Sequence, residues 1–148
     1  MSYIEASKAL CDSRLRRHYG RPRGCWPWTI SRLERHLGFR LPAAYREFLR
    51  WMGEHRDGPF RGSNCFPGDL IFIHDAPPDL FAKHSISLGA HPFVFFLHQG
   101  YIAAWFDLPA ASADPPVWTF NEGTMSQPEQ RVTFSEWLLE SMQWSVGV

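Results

Sequence analysis

The chain has 148 residues, a length that fits one domain and is enough to bury a sizeable core. No apolar run is long enough to span a membrane, and the first residues lack the apolar core of a signal peptide, so we expect a cytoplasmic protein without membrane contact. The net charge is zero, yet residues 1–56 carry +7 (12 basic, 5 acidic) and residues 57–148 carry −7 (3 basic, 10 acidic). Such asymmetry bears on partners rather than on fold.

A first helix is predicted from Tyr3 to about His18, because Ile4, Cys11 and Leu15 share one helical face. A segment rich in glycine, proline and arginine then breaks the chain. The second helix is predicted to start near Trp28. Alternatively, Ser31 and Glu34 form a capping box, and the helix starts there instead.

Gly38 suits the C-terminal cap of this second helix. Pro42 suits the first turn of a third helix, which ends at Gly53. Residues 57–68 are predicted to form a loop or two short edge strands. Leu70–Ile73 is predicted as a strand, and Pro78–His84 as a short helix.

Three antiparallel strands are predicted in the second half, at Phe93–Leu97, Ile102–Asp107 and Val117–Phe120. The first two flank Gln99-Gly100, which is typical of a two-residue hairpin connection. After a loop, Thr133 and Glu136 form a capping box for a last helix that runs to about Gln143. Helices followed by strands and a final helix predict an α+β domain with helices packed on an antiparallel sheet.

Several of these motifs, in this order, resemble the SUKH superfamily of Smi/Knr-like domains. The resemblance rests on Ile30–Gly38 followed by Leu41–Leu49, on His98–Tyr101 and Asp114–Val117 in the sheet, and on Phe134–Leu138 in the closing helix. It implies an N-terminal helical extension at residues 1–24 and a SUKH-like domain at residues 25–148. It also implies a role in bacterial immunity, in which the protein binds and neutralises a toxin made by the same cell.

Candidate chemistry is sparse in the sequence. Three scattered cysteines lack the spacing of a zinc site, and the seven histidines show no paired ligand spacing, so we expect no metal and no cofactor. His98 is either a catalytic base or an imidazole that shapes its turn, and no nucleophile or orienting acid accompanies it. We therefore predict no catalytic site. The arginines between Arg14 and Arg23 come with no recognised nucleic-acid-binding module, so direct nucleic-acid binding is not expected.

A partner-binding face is predicted from alternation along the second strand. There Tyr101 and Trp105 fall on the face opposite to the helix-packed one, unless the first helix or the 57–68 loop covers them. Aromatic anchors with acidic neighbours suit a basic protein partner, for instance a nuclease toxin. The candidate contact residues are Asp57, Asp69, Asp75, Asp79, Tyr101, Trp105, Asp107 and Asp114. The alternative is a regulatory scaffold or a small-ligand-binding domain of the same fold.

Overall fold

One antiparallel sheet with helices on both faces makes up the fold of the computed structural model, which describes residues 2–131 and 133–145. Its strands lie in the order β1-β2-β3-β4-β5, each antiparallel to the next. The predicted α+β class is confirmed. The elements are α1 (Glu5–Leu10), a π-helical turn (Cys11–Leu15), α2 (Arg16–Tyr19), α3 (Pro27–Leu37), α4 (Ala43–Met52), β1 (Ser63–Asn64), α5 (Pro67–Asp75), α6 (Asp79–Lys83), β2 (Pro92–His98), β3 (Ile102–Asp107), β4 (Val117–Asn121), β5 (Glu129–Arg131) and α7 (Phe134–Ser145).

The first predicted helix is a continuous helical segment made of α1, the π-helical turn and α2. Ile4, Cys11 and Leu15 are buried in the main core, as their spacing predicts. α1 packs against α7, and three groups near its start bind one carboxylate on α4. Glu47 accepts hydrogen bonds from the Ser2 hydroxyl, from the Tyr3 N–H at 2.7 Å and from the Lys8 ammonium at 2.9 Å.

α3 begins at Pro27, next to the start predicted near Trp28 and ahead of the alternative capping box at Ser31 and Glu34. Glu34 does not form a capping box; its carboxylate accepts a hydrogen bond from the Leu41 N–H at 2.7 Å and so joins α3 to the start of α4. Gly38 ends α3 in the left-handed conformation, with φ +79°, which confirms the predicted cap.

The predicted strands are confirmed as β2, β3 and β4. The hairpin connection has three residues rather than two, because His98 pairs with Ile102. Gln99 and Gly100 both have positive φ, and the Tyr101 N–H donates to the His98 carbonyl at 3.2 Å. β5 was not predicted, and the loop at residues 57–68 contains the edge strand β1.

Leu70–Ile73, predicted as a strand, is the centre of helix α5. A run of four apolar residues cannot by itself distinguish a strand from a helix. Pro67 at the first position and Asp69 in the first turn are the helix-start signals that decide it. The predicted helix that follows is confirmed as α6.

The core has two parts, one on each face of the sheet. On the first face, Tyr45 of α4 is fully buried among five phenylalanine rings: Phe48, Phe93, Phe95, Phe106 and Phe134. On the second face, Ile73 of α5 together with Leu80 and Phe81 of α6 covers the sheet. Both faces are therefore closed by helices over much of their area.

Candidate functional site

Trp105 does not lie on an open face, so this part of the predicted binding surface is wrong. Its side chain is 1% exposed, and the Phe81 ring packs edge-on against it with centroids 5.5 Å apart. Strand alternation correctly placed Trp105 opposite Phe106, but α5 and α6 cover that face. Tyr101, at the end of the hairpin, is exposed.

Three of the predicted acidic residues lie on one helical pair. Asp69 and Asp75 belong to α5, and Asp79 begins α6. Between them Phe72 projects into solvent, with 71% of its surface exposed. Asp69 and Asp75 are each three residues from Phe72, so their side chains neighbour it on the helix surface. We call these four residues the α5–α6 surface. Residues 62–82 contain three aspartates and no lysine, arginine or glutamate, so this segment of the chain is acidic.

Phe72 was missed by the sequence analysis because Leu70–Ile73 was predicted as a strand. The available signal was the helical period: Leu70 and Ile73 are buried in α5, and Phe72 falls on the opposite side of the helix.

The other predicted acidic residues serve local contacts. The Asp57 carboxylate faces the Arg23 guanidinium at 3.7 Å. Asp107 accepts a hydrogen bond from the His91 N–H at 3.1 Å. Asp114 accepts hydrogen bonds from the Ser135 N–H at 2.9 Å and from the Ser135 hydroxyl, which supports the first turn of α7. None of these three residues belongs to α5 or α6.

A groove of about 530 Å³ lies between α7, the hairpin and the loop before β1. Tyr101 lines it, so the structure separates this residue from the α5–α6 surface. Its aromatic walls include Phe96, Trp137 and the exposed Trp144. The cationic side chains in it are Arg61 and Arg131, and the latter lies 3.5 Å from the Glu140 carboxylate.

His98 lies at the edge of this groove and is hydrogen-bonded to Ser63, with Nδ1 and Oγ 2.9 Å apart. The two residues are cross-strand partners in β1 and β2, 35 positions apart in the sequence, which is why sequence spacing did not pair them. A catalytic serine–histidine unit also needs an acceptor that orients the imidazole. In the part of the chain that the structure describes, no carboxylate is hydrogen-bonded to His98, and the contact joins β1 to the sheet.

Metal-binding and thiol chemistry find no support in the described residues. Outside Met1, Val132 and residues 146–148, no group of three His, Cys, Asp or Glu side chains is placed to hold a metal ion. All three cysteines are free and buried. Burial raises the pKa of Cys25 to about 12 and the pKa of Cys65 still further, so both remain thiols at neutral pH.

No helix of the described ranges is both long and apolar enough to cross a bilayer.

The fold and its surfaces therefore define a small α+β domain that displays aromatic and charged side chains. The model of the SMI1/KNR4 family (SUKH-1) matches residues 24–140, and the chain belongs to this family. Members of the family are often toxin-immunity proteins. A search of curated protein sequences found no match.

Proposed function

We propose that this chain is an immunity protein of the cytoplasm, which binds a cognate protein toxin and neutralises it without catalysis of its own. The observation that carries the proposal is the α5–α6 surface, where Phe72 stands exposed between Asp69 and Asp75. Family membership supports this class of function, and this surface is the proposed place for the partner to bind.

The two chemical types on this surface have different roles in binding. A phenyl ring that passes from water into a partner's pocket contributes about 2 kcal/mol, the size expected of an interface anchor. Exposed carboxylates around it contribute little to net affinity, but they accelerate the encounter with a cationic partner. The surface therefore fits a protein with a basic site and an apolar pocket beside it.

A nuclease toxin has such a basic site, because the cleft that holds its substrate must attract phosphates. An acidic surface placed over that cleft would exclude the nucleic acid by occupying the same cationic side chains. In this proposal the immunity protein does not itself contact nucleic acid.

The test is a kinetic measurement of binding to the cognate toxin, first identified by co-purification with this chain from its native host. Replacing Asp75 and Asp79 together with Asn should slow association and flatten its dependence on salt, because rim charges act mainly on the encounter. Phe72→Ala should speed dissociation by about 30-fold, the equivalent of about 2 kcal/mol.

Matched controls come from exposed residues elsewhere on the chain. Replacing Glu129 and Glu136 with Gln removes the same charge, and Trp144→Ala removes a larger exposed ring. These controls should leave both rates unchanged. Unchanged kinetics in the α5–α6 variants, with an effect in the controls, would place the toxin on β5 and α7 instead.

The groove favours a second candidate function, the binding of a small ligand. Its volume of about 530 Å³ lies within the range of ligand sites, and it combines aromatic walls with the cationic Arg61. This arrangement suits a planar molecule with an acidic group. Native mass spectrometry of the chain purified from its host tests this: a bound small molecule that is lost in Trp144→Ala would favour it, and a bare chain would count against it.

A further inference from the structure

Two tryptophan side chains stack on one another in solvent at the start of α3. Trp26 and Trp28 have parallel rings with centroids 4.9 Å apart, and 65% and 59% of their surfaces are exposed. Tryptophan is buried to a large extent in most proteins, and exposed apolar groups that lie together mark interaction sites. The stack is a preformed apolar surface, because each ring restricts the other.

The exposed face of α3 continues this surface with positive charge. With 3.6 residues per turn, positions 28, 32 and 35 fall within about 60° of one another. Arg32 and Arg35 are both exposed, and in the described ranges neither has a carboxylate within 4.0 Å. We call Trp26, Trp28, Arg32 and Arg35 the basic stripe. Tryptophan and arginine are the residue types most enriched at interface hot spots.

The acidic counterpart of this stripe lies on the neighbouring helix of the same molecule. α3 packs against α5, where His36 is hydrogen-bonded to Asp75 with Nε2 and Oδ1 2.7 Å apart. The helix that carries the basic stripe therefore packs directly on the helix that carries Phe72, Asp69 and Asp75. When a basic and an acidic surface adjoin on one molecule, a two-fold rotation can place the basic surface of each copy against the acidic surface of the other.

We propose that two copies of this chain associate through α3 and α5 about a two-fold axis near the His36–Asp75 contact. The basic stripe of each copy lies on the α5–α6 surface of the other, so that arginines meet carboxylates and the tryptophan stack meets Phe72. A zero net charge leaves no overall repulsion between the copies. An acidic protein or a single-stranded nucleic acid would engage the stripe alone, whereas a second copy engages both surfaces.

This inference does not rest on the proposed function, because it concerns the purified chain by itself. If both hold, a second copy and the toxin compete for the same α5–α6 surface. The chain would then be stored as a dimer that the toxin opens.

The test is sedimentation velocity of the full chain from micromolar to millimolar concentration. The wild-type chain should form dimers that weaken as salt is added. Arg32→Glu with Arg35→Glu makes both surfaces acidic, and Asp69→Lys with Asp75→Lys makes both basic. For each variant alone, the dissociation constant of the dimer should rise by about 100-fold or more relative to wild type, because like charges then face each other.

Mixing the two variants is the decisive measurement, because the mixed dimer again places acidic against basic surfaces at both contacts. The mixture should recover dimers that neither variant forms alone. Arg14→Glu with Arg17→Glu, and Glu129→Lys with Glu136→Lys, make matched charge changes elsewhere and should leave the dimer intact; thermal melts establish that every variant is folded. A wild-type chain that stays monomeric throughout, or a mixture that stays monomeric, overturns the proposal.

Discussion

Gly24 lies where two parts of the fold meet with no room for a side chain. A β-carbon added there would lie 1.5 Å from the Arg50 carbonyl oxygen and 2.3 Å from the Arg50 carbonyl carbon. Both atoms belong to the backbone of α4 and cannot rotate away. Two hydrogen bonds hold the same segment, from the Cys25 N–H to the Leu49 carbonyl at 2.8 Å and from the Glu54 N–H to the Arg23 carbonyl at 3.0 Å.

We expect Gly24→Ala to lower the free energy of unfolding by about 2 to 3.5 kcal/mol. Loss of the two hydrogen bonds accounts for about 2 kcal/mol. Displacement of packed backbone adds about 1 to 2 kcal/mol. Restriction of the unfolded chain by alanine offsets about 0.5 to 1 kcal/mol. Because Trp26 lies only two residues further along the chain, the same change should also displace the tryptophan stack.

Gly68 provides the matched control for the same chemical change. It lies in the first turn of α5, has no heavy atom within 4 Å of its added β-carbon and does not have a positive φ. Gly68→Ala should therefore stabilise the fold by about 0.5 kcal/mol, through helix propensity and a more restricted unfolded chain. Urea unfolding followed by tryptophan fluorescence measures both. Equal stability of Gly24→Ala and wild type would refute the close approach of this segment to α4.

Two further predictions concern buried and bound polar groups. The Tyr45 hydroxyl is buried and has no hydrogen-bond partner in the described ranges, so Tyr45→Phe should raise the free energy of unfolding by about 1 kcal/mol, whereas Tyr101→Phe at the exposed hairpin should not. Partial burial favours a higher pKa for Glu47, but the hydrogen bonds from Ser2, Tyr3 and Lys8 outweigh it and lower the pKa. A lowered carboxyl pKa contributes stability above its ordinary value of 4.5, and that stability is lost as the pH falls through the lowered value. Denaturant unfolding in acid should therefore show a loss of stability that Glu47→Gln reduces; an identical pH response in that variant would contradict the assignment.

Local signals in the sequence were sufficient for much of the fold. β2 and β3 were predicted because Gly100 permits the tight turn and apolar residues flank it, and α3 was ended correctly at Gly38. β5 carries no such signal: Glu129–Arg131 is polar and exposed, and it is a strand only because β4 pairs with it. Pairing between strands is a property of the folded chain and not of three residues.

One error in a single element changed the predicted site. With Leu70–Ile73 predicted as a strand, only the first helix and the 57–68 loop were considered as covers for the second face of the sheet, and Trp105 was predicted to lie open there. In the structure α5 buries Ile73 against that face and leaves Phe72 outside. In the proposed binding surface the candidate anchor is therefore Phe72 of α5 rather than Trp105 of β3, and Asp69, Asp75 and Asp79 remain candidate contacts.

The charge asymmetry of the sequence has a spatial meaning that depends on which helices touch. α3 brings Arg32 and Arg35 from the positive part, and α5 brings Asp69 and Asp75 from the negative part, to adjacent surfaces of one molecule. A partner that approaches this side would therefore meet one basic and one acidic region, although the chain has no net charge. At distances beyond a Debye length of about 8 Å in physiological salt these charges are largely screened, so they act at close approach and in fixing orientation. At such close approach a partner would also touch the exposed rings of Trp28 and Phe72. These apolar contacts, rather than the charges, would then mainly set its dissociation rate.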